Sequence, residues 1–213
     1  MNKPRRSLPK NSESKPRVFV AVKVAIDPGH GMSNATKGKY DPGASGGGLS
    51  EADIVLQWAL TGKWVAQQMG IDVFLTRDDD SDVTPVSTRD NKAELAGCNY
   101  FISLHCDAAS TTSARGLTVF IDKTQEDRDR KFALTVQNAL ISAASNKATS
   151  RGIKLETETR VKNLAVLDFK KGPAVLLELG FITNAQDRIY MTDRNVRVRF
   201  WQNFFAAVDG VKK

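Results

Sequence analysis

The chain has 213 residues, 41% apolar and 26% charged, a composition ordinary for a soluble globular protein and a length that supports one domain with a full core. Its net charge of +7 is concentrated at the start: residues 1–17 hold six basic groups and one acidic, leaving 25 basic against 23 acidic residues elsewhere. That near-neutral body argues against a broad phosphate-contacting surface, so nucleic acid is not an expected partner, and no apolar stretch approaches the ~20 residues a membrane span needs.

Residues 1–16 are rich in Pro, Ser, Lys and Arg and lack a periodic apolar face. They read as a disordered basic tail, either adhering to an anionic polymer or membrane surface or serving as a solubilising leader. The apolar run over 18–26 is short, broken by Lys23 and without a small-residue cleavage site, so it does not read as a secretory signal. Residues 17–213 are expected to form one folded domain.

Strand character over 17–26 stops abruptly at Asp27-Pro28-Gly29, which sets His30 at the strand's lip. A glycine-rich loop follows over 27–49, long enough to be functional or mobile. Ser50 is a candidate N-cap with Asp53 three residues on. Ile54, Trp58, Val65 and Met69 then fit one helical face, closed by Gly70. The pattern continues with a strand over 71–76, an acidic loop containing Asp78, Asp79 and Asp80, a helix over 87–96, and a nearly all-apolar strand over 100–104. His105 follows that strand directly.

Another strand over 116–121 leads to a helix over 125–145, with Phe132, Leu134, Val136, Leu140 and Ile141 as its apolar positions. Extended segments run from Arg151 towards 164–167. Residues 173–177 form a buried strand ending in Glu178, and 184–209 read as a helix with Phe200, Trp201, Phe204 and Phe205 as a docking face. This alternation predicts an α/β fold: an open, mostly parallel twisted sheet of about six strands with helices on both faces. Trp58, Trp64 and Trp201 are read as core residues from their helical spacing. Cys98 and Cys106 are unpatterned and read as free thiols; Cys106 faces away from His105, because neighbours in a strand point to opposite sides.

His30, Glu51, His105 and Glu178 stand at the ends of separate elements, and in a parallel sheet such ends share one edge. Two histidines and one carboxylate suit a catalytic zinc whose fourth position is left to water, and a second carboxylate can move protons. Each residue also has a plain alternative: a solitary structural histidine, a glutamate favouring a helix N-terminus, a Glu178 paired with an arginine. No HExxH spacing decides between them. Nucleotide binding is disfavoured, since neither GxxxxGK[ST] nor GxGxxG occurs.

The motifs Ile26-Asp-Pro-Gly-His-Gly31, Asp41-Pro-Gly-Ala44, Glu51, Leu75-Thr-Arg77, Ser103-Leu-His-Cys-Asp107, Arg151-Gly-Ile-Lys154 and 173–184 (PAVLLELGFITN) occur in one order across the body. In this the chain resembles the zinc-dependent N-acetylmuramoyl-L-alanine amidases of the Amidase_3 family, which cleave peptidoglycan between muramic acid and L-alanine. The resemblance implies that His30, Glu51 and His105 hold Zn2+ and that Glu178 is the catalytic carboxylate. It implies peptidoglycan as partner, a monomer, and action at the cell wall or periplasm, reached by holin release in the manner of a phage endolysin or by export of an autolysin. A different class of function, a non-catalytic peptidoglycan-binding module, would be expected to lack one of the four residues. Some family members carry an inserted helix that blocks the metal; the short segment between His105 and residue 125 leaves little room for one, so an open site is expected.

Overall fold

The computed structural model describes residues 22–145 and 147–210, so the expected tail at 1–16 and the start of the first strand lie outside the described residues. Five strands and one long helix come first: β1 (Lys23–Pro28), β2 (Gly31–Met32), β3 (Tyr40–Asp41), β4 (Ser45–Gly46), β5 (Leu49–Ser50) and α1 (Glu51–Met69). Then follow β6 (Asp72–Leu75), α2 (Arg89–Leu95), β7 (Tyr100–Asp107), β8 (Leu117–Ile121), α3 (Glu126–Ala143), β9 (Ser150–Leu155), β10 (Ala174–Phe181), α4 (Ala185–Thr192) and α5 (Arg194–Gly210).

Six strands form one sheet in the order β6-β1-β7-β10-β8-β9. All neighbours run parallel except β10 and β8, which are antiparallel. The expected mostly parallel six-stranded α/β architecture is therefore the one observed. The glycine-rich loop is not featureless: β2 pairs with β3 and β4 with β5 as two small hairpins.

The two faces of the sheet are covered unequally. Ile26, Ile102, Leu104, Leu177 and Leu179 face one side and pack with Trp58 of α1, Phe132 and Leu140 of α3, and Phe200, Trp201, Phe204 and Phe205 of α5. On the other face a smaller cluster around Ala25, Phe101, Ala174 and Leu176 is covered by Ala93 of α2 and by Val166, Leu167 and Phe169. Strand alternation assigns these sets: in β7, Ile102, Leu104 and Cys106 enter the large core, whereas Phe101, Ser103, His105 and Asp107 share the thinly covered face. His105, Asp107 and Glu178 stay partly accessible there because no long helix lies over them, whereas Asp27 and Ser103 deeper in the sheet are fully buried.

Several sequence expectations need correction. β7 and β10 run on past Leu104 and Leu177, to Asp107 and Phe181, because the two strands keep pairing beyond those positions, with Glu178 opposite His105. His105 and Glu178 thus stand on the sheet face rather than at strand tips. The C-terminal helix is two helices: Asp193 has extended backbone, and its carboxylate accepts from Asn195 N at 2.8 Å, capping α5. Residues 164–167 form a 3₁₀ turn, Ala165–Leu167, in place of a strand. Trp64 is not core: it is 46% exposed, on the outward side of α1, with the Arg194 guanidinium 5.8 Å from its ring centroid. Met69 and Leu134 are likewise exposed. Trp58 and Trp201 are fully buried, each indole N–H donating to a backbone carbonyl at 2.8 Å. Both cysteines are buried free thiols. No helix among the described residues is long and apolar enough to cross a membrane.

Candidate metal centre

Ser50 caps α1, its Oγ accepting from Asp53 N at 3.2 Å, so Glu51 is the first residue of the helix and enters the favourable field of its N-terminus. The loop backbone fixes that terminus, with Glu51 N donating to Ala44 O at 2.8 Å and Ala52 N to Pro42 O at 3.0 Å. The Glu51 side chain is only 4% exposed. Its Oε2 accepts from Ala44 N at 2.9 Å, and its Oε1 accepts from Cys106 N at 2.9 Å.

The same Oε1 lies 2.9 Å from His30 Nε2 and 3.0 Å from His105 Nδ1. The two imidazoles meet edge to face with centroids 5.0 Å apart. His30, Glu51 and His105 therefore offer ligand atoms within 4.8 Å of one another, a set that could hold a metal ion. Burial alone would lower the His30 pKa, but hydrogen bonds and charge from Glu51 and Asp41 outweigh it, and the pKa is raised. For Glu51 burial acts upward, and the two histidines outweigh it to hold the carboxyl well below its usual range. Two nitrogen donors and one ionised oxygen converging at a half-buried point suit a divalent ion in place of the protons that otherwise bridge them.

Two Asp-Pro-Gly segments, each at the end of a strand, shape this centre. In the first, a Cβ on Gly29 would collide with the His105 ring. In the second, Gly43 has φ of +66°, and a Cβ there would fall 2.6 Å from Glu51 Oε2 and 2.7 Å from His30 Cδ2. Asp41, the last residue of β3, receives His30 Nδ1 at 2.9 Å, Asn34 Nδ2 at 2.7 Å and Gly43 N at 2.9 Å. A carboxylate behind a metal-binding histidine fixes its tautomer and ring orientation. The sequence pointed to Asp41 only as part of a motif, without a role.

His30 itself has φ of +62°, unusual for a residue with a side chain. Two buried arginines hold it there. Arg77 donates to the carbonyls of Pro28, Gly29 and Ala52 at 2.9–3.0 Å. Arg89 donates to Pro28 O at 2.8 Å, His30 O at 2.6 Å and Thr84 O at 2.9 Å, and pairs with Asp27 at 2.8 Å. Asp27 also accepts from Ser103 Oγ at 2.6 Å and from Thr76. Sequence reasoning missed Arg89 altogether; nothing local to 87–96 marks it.

Glu178 is opposite His105 on the neighbouring strand. Its Oε2 is buried without a hydrogen-bond partner among the described residues. Burial pushes its pKa well up, and the nearby Glu51 and Asp107 carboxylates add to the rise. The expectation that it pairs with an arginine as a structural group has no counterpart in the ion pairs of the described residues. Residues 108–116, between β7 and β8, contain no helix.

Residues 24–210 match the family described as N-acetylmuramoyl-L-alanine amidase. The chain is 33% identical over 192 residues to "Probable cell wall amidase LytH" of Staphylococcus epidermidis, covering 89% of this chain and 57% of that protein. It thus spans little more than half the length of the curated relatives it matches. Among solved structures it resembles N-acetylmuramoyl-L-alanine amidase AmiC2 of Nostoc punctiforme, with 25% identity, TM-score 0.73, and coverage of 90% of this chain and 98% of that one. It also resembles the catalytic domain of the amidase CwlV of Bacillus (Paenibacillus) polymyxa, with 26% identity, TM-score 0.73, and coverage of 89% and 99%.

Proposed function

The chain belongs to the N-acetylmuramoyl-L-alanine amidase family, and from that premise we propose that it hydrolyses the amide between N-acetylmuramic acid and L-alanine in peptidoglycan with zinc as cofactor. The observation that carries this reading is the convergence of His30 Nε2, His105 Nδ1 and Glu51 Oε1, with the unpartnered Glu178 Oε2 on the adjacent strand. His30, Glu51 and His105 are the proposed zinc ligands. Lewis acidity toward the scissile carbonyl, and a water acidified to a pKa of about 7, are what zinc supplies when bound.

The chain's own groups do the remainder. Asp41 holds His30 in the tautomer that turns Nε2 inward, and the backbone N–H groups of Ala44 and Cys106 orient the Glu51 carboxylate. Glu178 takes the proton of the attacking water and delivers it to the departing amide nitrogen. Burial and the Glu51 and Asp107 charges raise its pKa, which favours holding the proton between the two transfers. The place of action is the bacterial cell wall, with the basic residues 1–16 as a proposed electrostatic tether and a monomer as the working form.

The test is zinc content of the purified protein, followed by stem-peptide release from peptidoglycan with and without a chelator. About one zinc per chain and release abolished by chelation are expected. Binding of peptidoglycan without any release would instead make this a binding module. Gly29→Ala supplies a second check, because its methyl group must push the His105 ring aside. Zinc affinity is expected to fall about 10- to 100-fold, read by competition with a chromophoric chelator. Unchanged affinity would remove His105 from the ligand set.

A further inference from the structure

The candidate metal centre has two unlike flanks. Beyond β6 lies the acidic loop with Asp78, Asp79, Asp80 and Asp82. On the opposite side, past β10, the edge strand β9 carries Arg151 and Lys154. Neither of these cations has a carboxylate in ion-pair contact among the described residues, whereas nearby Arg115 and Lys123 face Asp187 and Glu156. Arg151 donates from Nη1 to Arg115 O at 3.3 Å and holds its guanidinium 5.0 Å over the Phe181 ring. Phe181 belongs to the same strand as Glu178.

The register places Lys154 on the face that carries the proposed catalytic group. Lys154 is opposite Phe120, and Phe120 is opposite Leu176, two residues before Glu178 on β10. Its neighbours Ile153 and Leu155 pack on the large core, so Lys154 stands on the other face. Two strand spacings separate β10 from β9, about 10 Å. An extended peptide covers about 7 Å in two residues, and a lysine side chain spans the remaining gap.

We propose that Arg151 and Lys154 form a carboxylate-reading subsite that draws the stem peptide from the zinc site toward β9 and selects peptides whose second residue keeps a free α-carboxyl. This rests on the amidase reading above and adds to it the direction in which substrate lies and the group that is recognised. The acidic loop after β6 repels the same carboxylate, which reinforces that direction. A carboxylate that reaches a guanidinium or an ammonium here gains a charge-assisted hydrogen bond, stronger than one between neutral groups. The structural alternative is that both cations only balance Asp107, which is paired with Phe181 in the sheet and accepts from Ala108 N at 2.9 Å.

The experiment compares N-acetylmuramoyl-L-alanyl-D-glutamate with N-acetylmuramoyl-L-alanyl-D-isoglutamine, each with its γ-carboxyl capped as the methylamide, so that they differ only at the α-carboxyl. The wild type and an Arg151→Gln/Lys154→Gln variant of the zinc-loaded full chain are assayed for kcat/KM. Calorimetric binding of the released dipeptides is measured in parallel and needs no turnover. The wild type is expected to favour the free carboxyl about tenfold through KM, with a preference that weakens in salt, and the variant to lose that preference in both assays. Equal treatment of the two peptides by the wild type, or an unchanged ratio in the variant, overturns the proposal; a role confined to balancing Asp107 would move the melting temperature and leave the ratio alone. If the wild type cleaves neither compound, the amidase reading fails, while dipeptide binding still decides for or against the subsite.

Discussion

Glu178→Gln is expected to reduce kcat by about 10³-fold while leaving zinc content intact. The substitution keeps the side chain's size and removes only its capacity to accept a proton. Because Glu178 Oε2 has no hydrogen-bond partner among the described residues and its charge is opposed by burial and by Glu51 and Asp107, the amide does not break a stabilising pair there. The melting temperature should therefore be unchanged or higher. Lost activity combined with retained metal and retained stability separates a proton-transfer role from a structural one. The measurements are stem-peptide release, metal analysis and thermal unfolding on the same preparation. A variant with full zinc and near wild-type kcat would remove Glu178 from the mechanism; one that has lost its zinc would place Glu178 among the ligands.

Arg89→Met should produce the largest stability loss, about 3–5 kcal/mol at neutral pH. It leaves Asp27 buried without its cation and strips donors from Pro28 O, His30 O and Thr84 O. Such a loss is a large fraction of the roughly 5–15 kcal/mol that holds a domain together. Burial pushes the Asp27 pKa up, but the Arg89 charge and the hydrogen bonds from Ser103, Thr76 and Arg89 outweigh it, so the folded pKa is lowered. The sign follows directly. Asp27 contributes stability above the usual carboxylate range, and the wild type loses that contribution as pH falls through the depressed folded value. In the variant burial dominates, Asp27 takes up its proton more readily, and the gap between the two proteins narrows in acid. Urea unfolding at pH 7 and pH 4 measures this gap. A gap that stays constant or widens in acid would show that the Asp27–Arg89 charge pair is not the source of the loss. Zinc affinity is expected to fall alongside, since the same guanidinium holds the His30 carbonyl at φ of +62°.

The fold was largely legible in the residue pattern, because apolar periodicity and turn residues report local structure directly. The Ser50 cap, the left-handed Gly70 and the buried runs of β7 and β10 all stand where the pattern placed them. Errors arose where tertiary contacts decide. Pairing between β7 and β10 extends both strands past the point where apolar character ends. The side chain of Asp193 divides a run that reads as one helix. Trp64 has the spacing of a core residue but points away from the sheet.

By itself the sequence determined the alternating α/β architecture and the four polar residues, His30, Glu51, His105 and Glu178, that interrupt or border apolar segments. Those are one-dimensional signals, since a charged or imidazole group beside a buried strand stands out wherever it finally lies. Only the tertiary structure decided that both histidines lie within hydrogen-bonding distance of one Glu51 oxygen, that Asp41 backs His30, and that Arg77 and Arg89 hold the backbone at Gly29 and His30. It also decided that Lys154 shares the face of Glu178 and that Arg151 lies over Phe181 of the same strand. The physical reason is separation along the chain: Arg89 acts on residues 61 and 62 positions away, and Glu51 meets His105 across 54. No local pattern encodes an interaction that exists only once the sheet has brought distant segments to one edge.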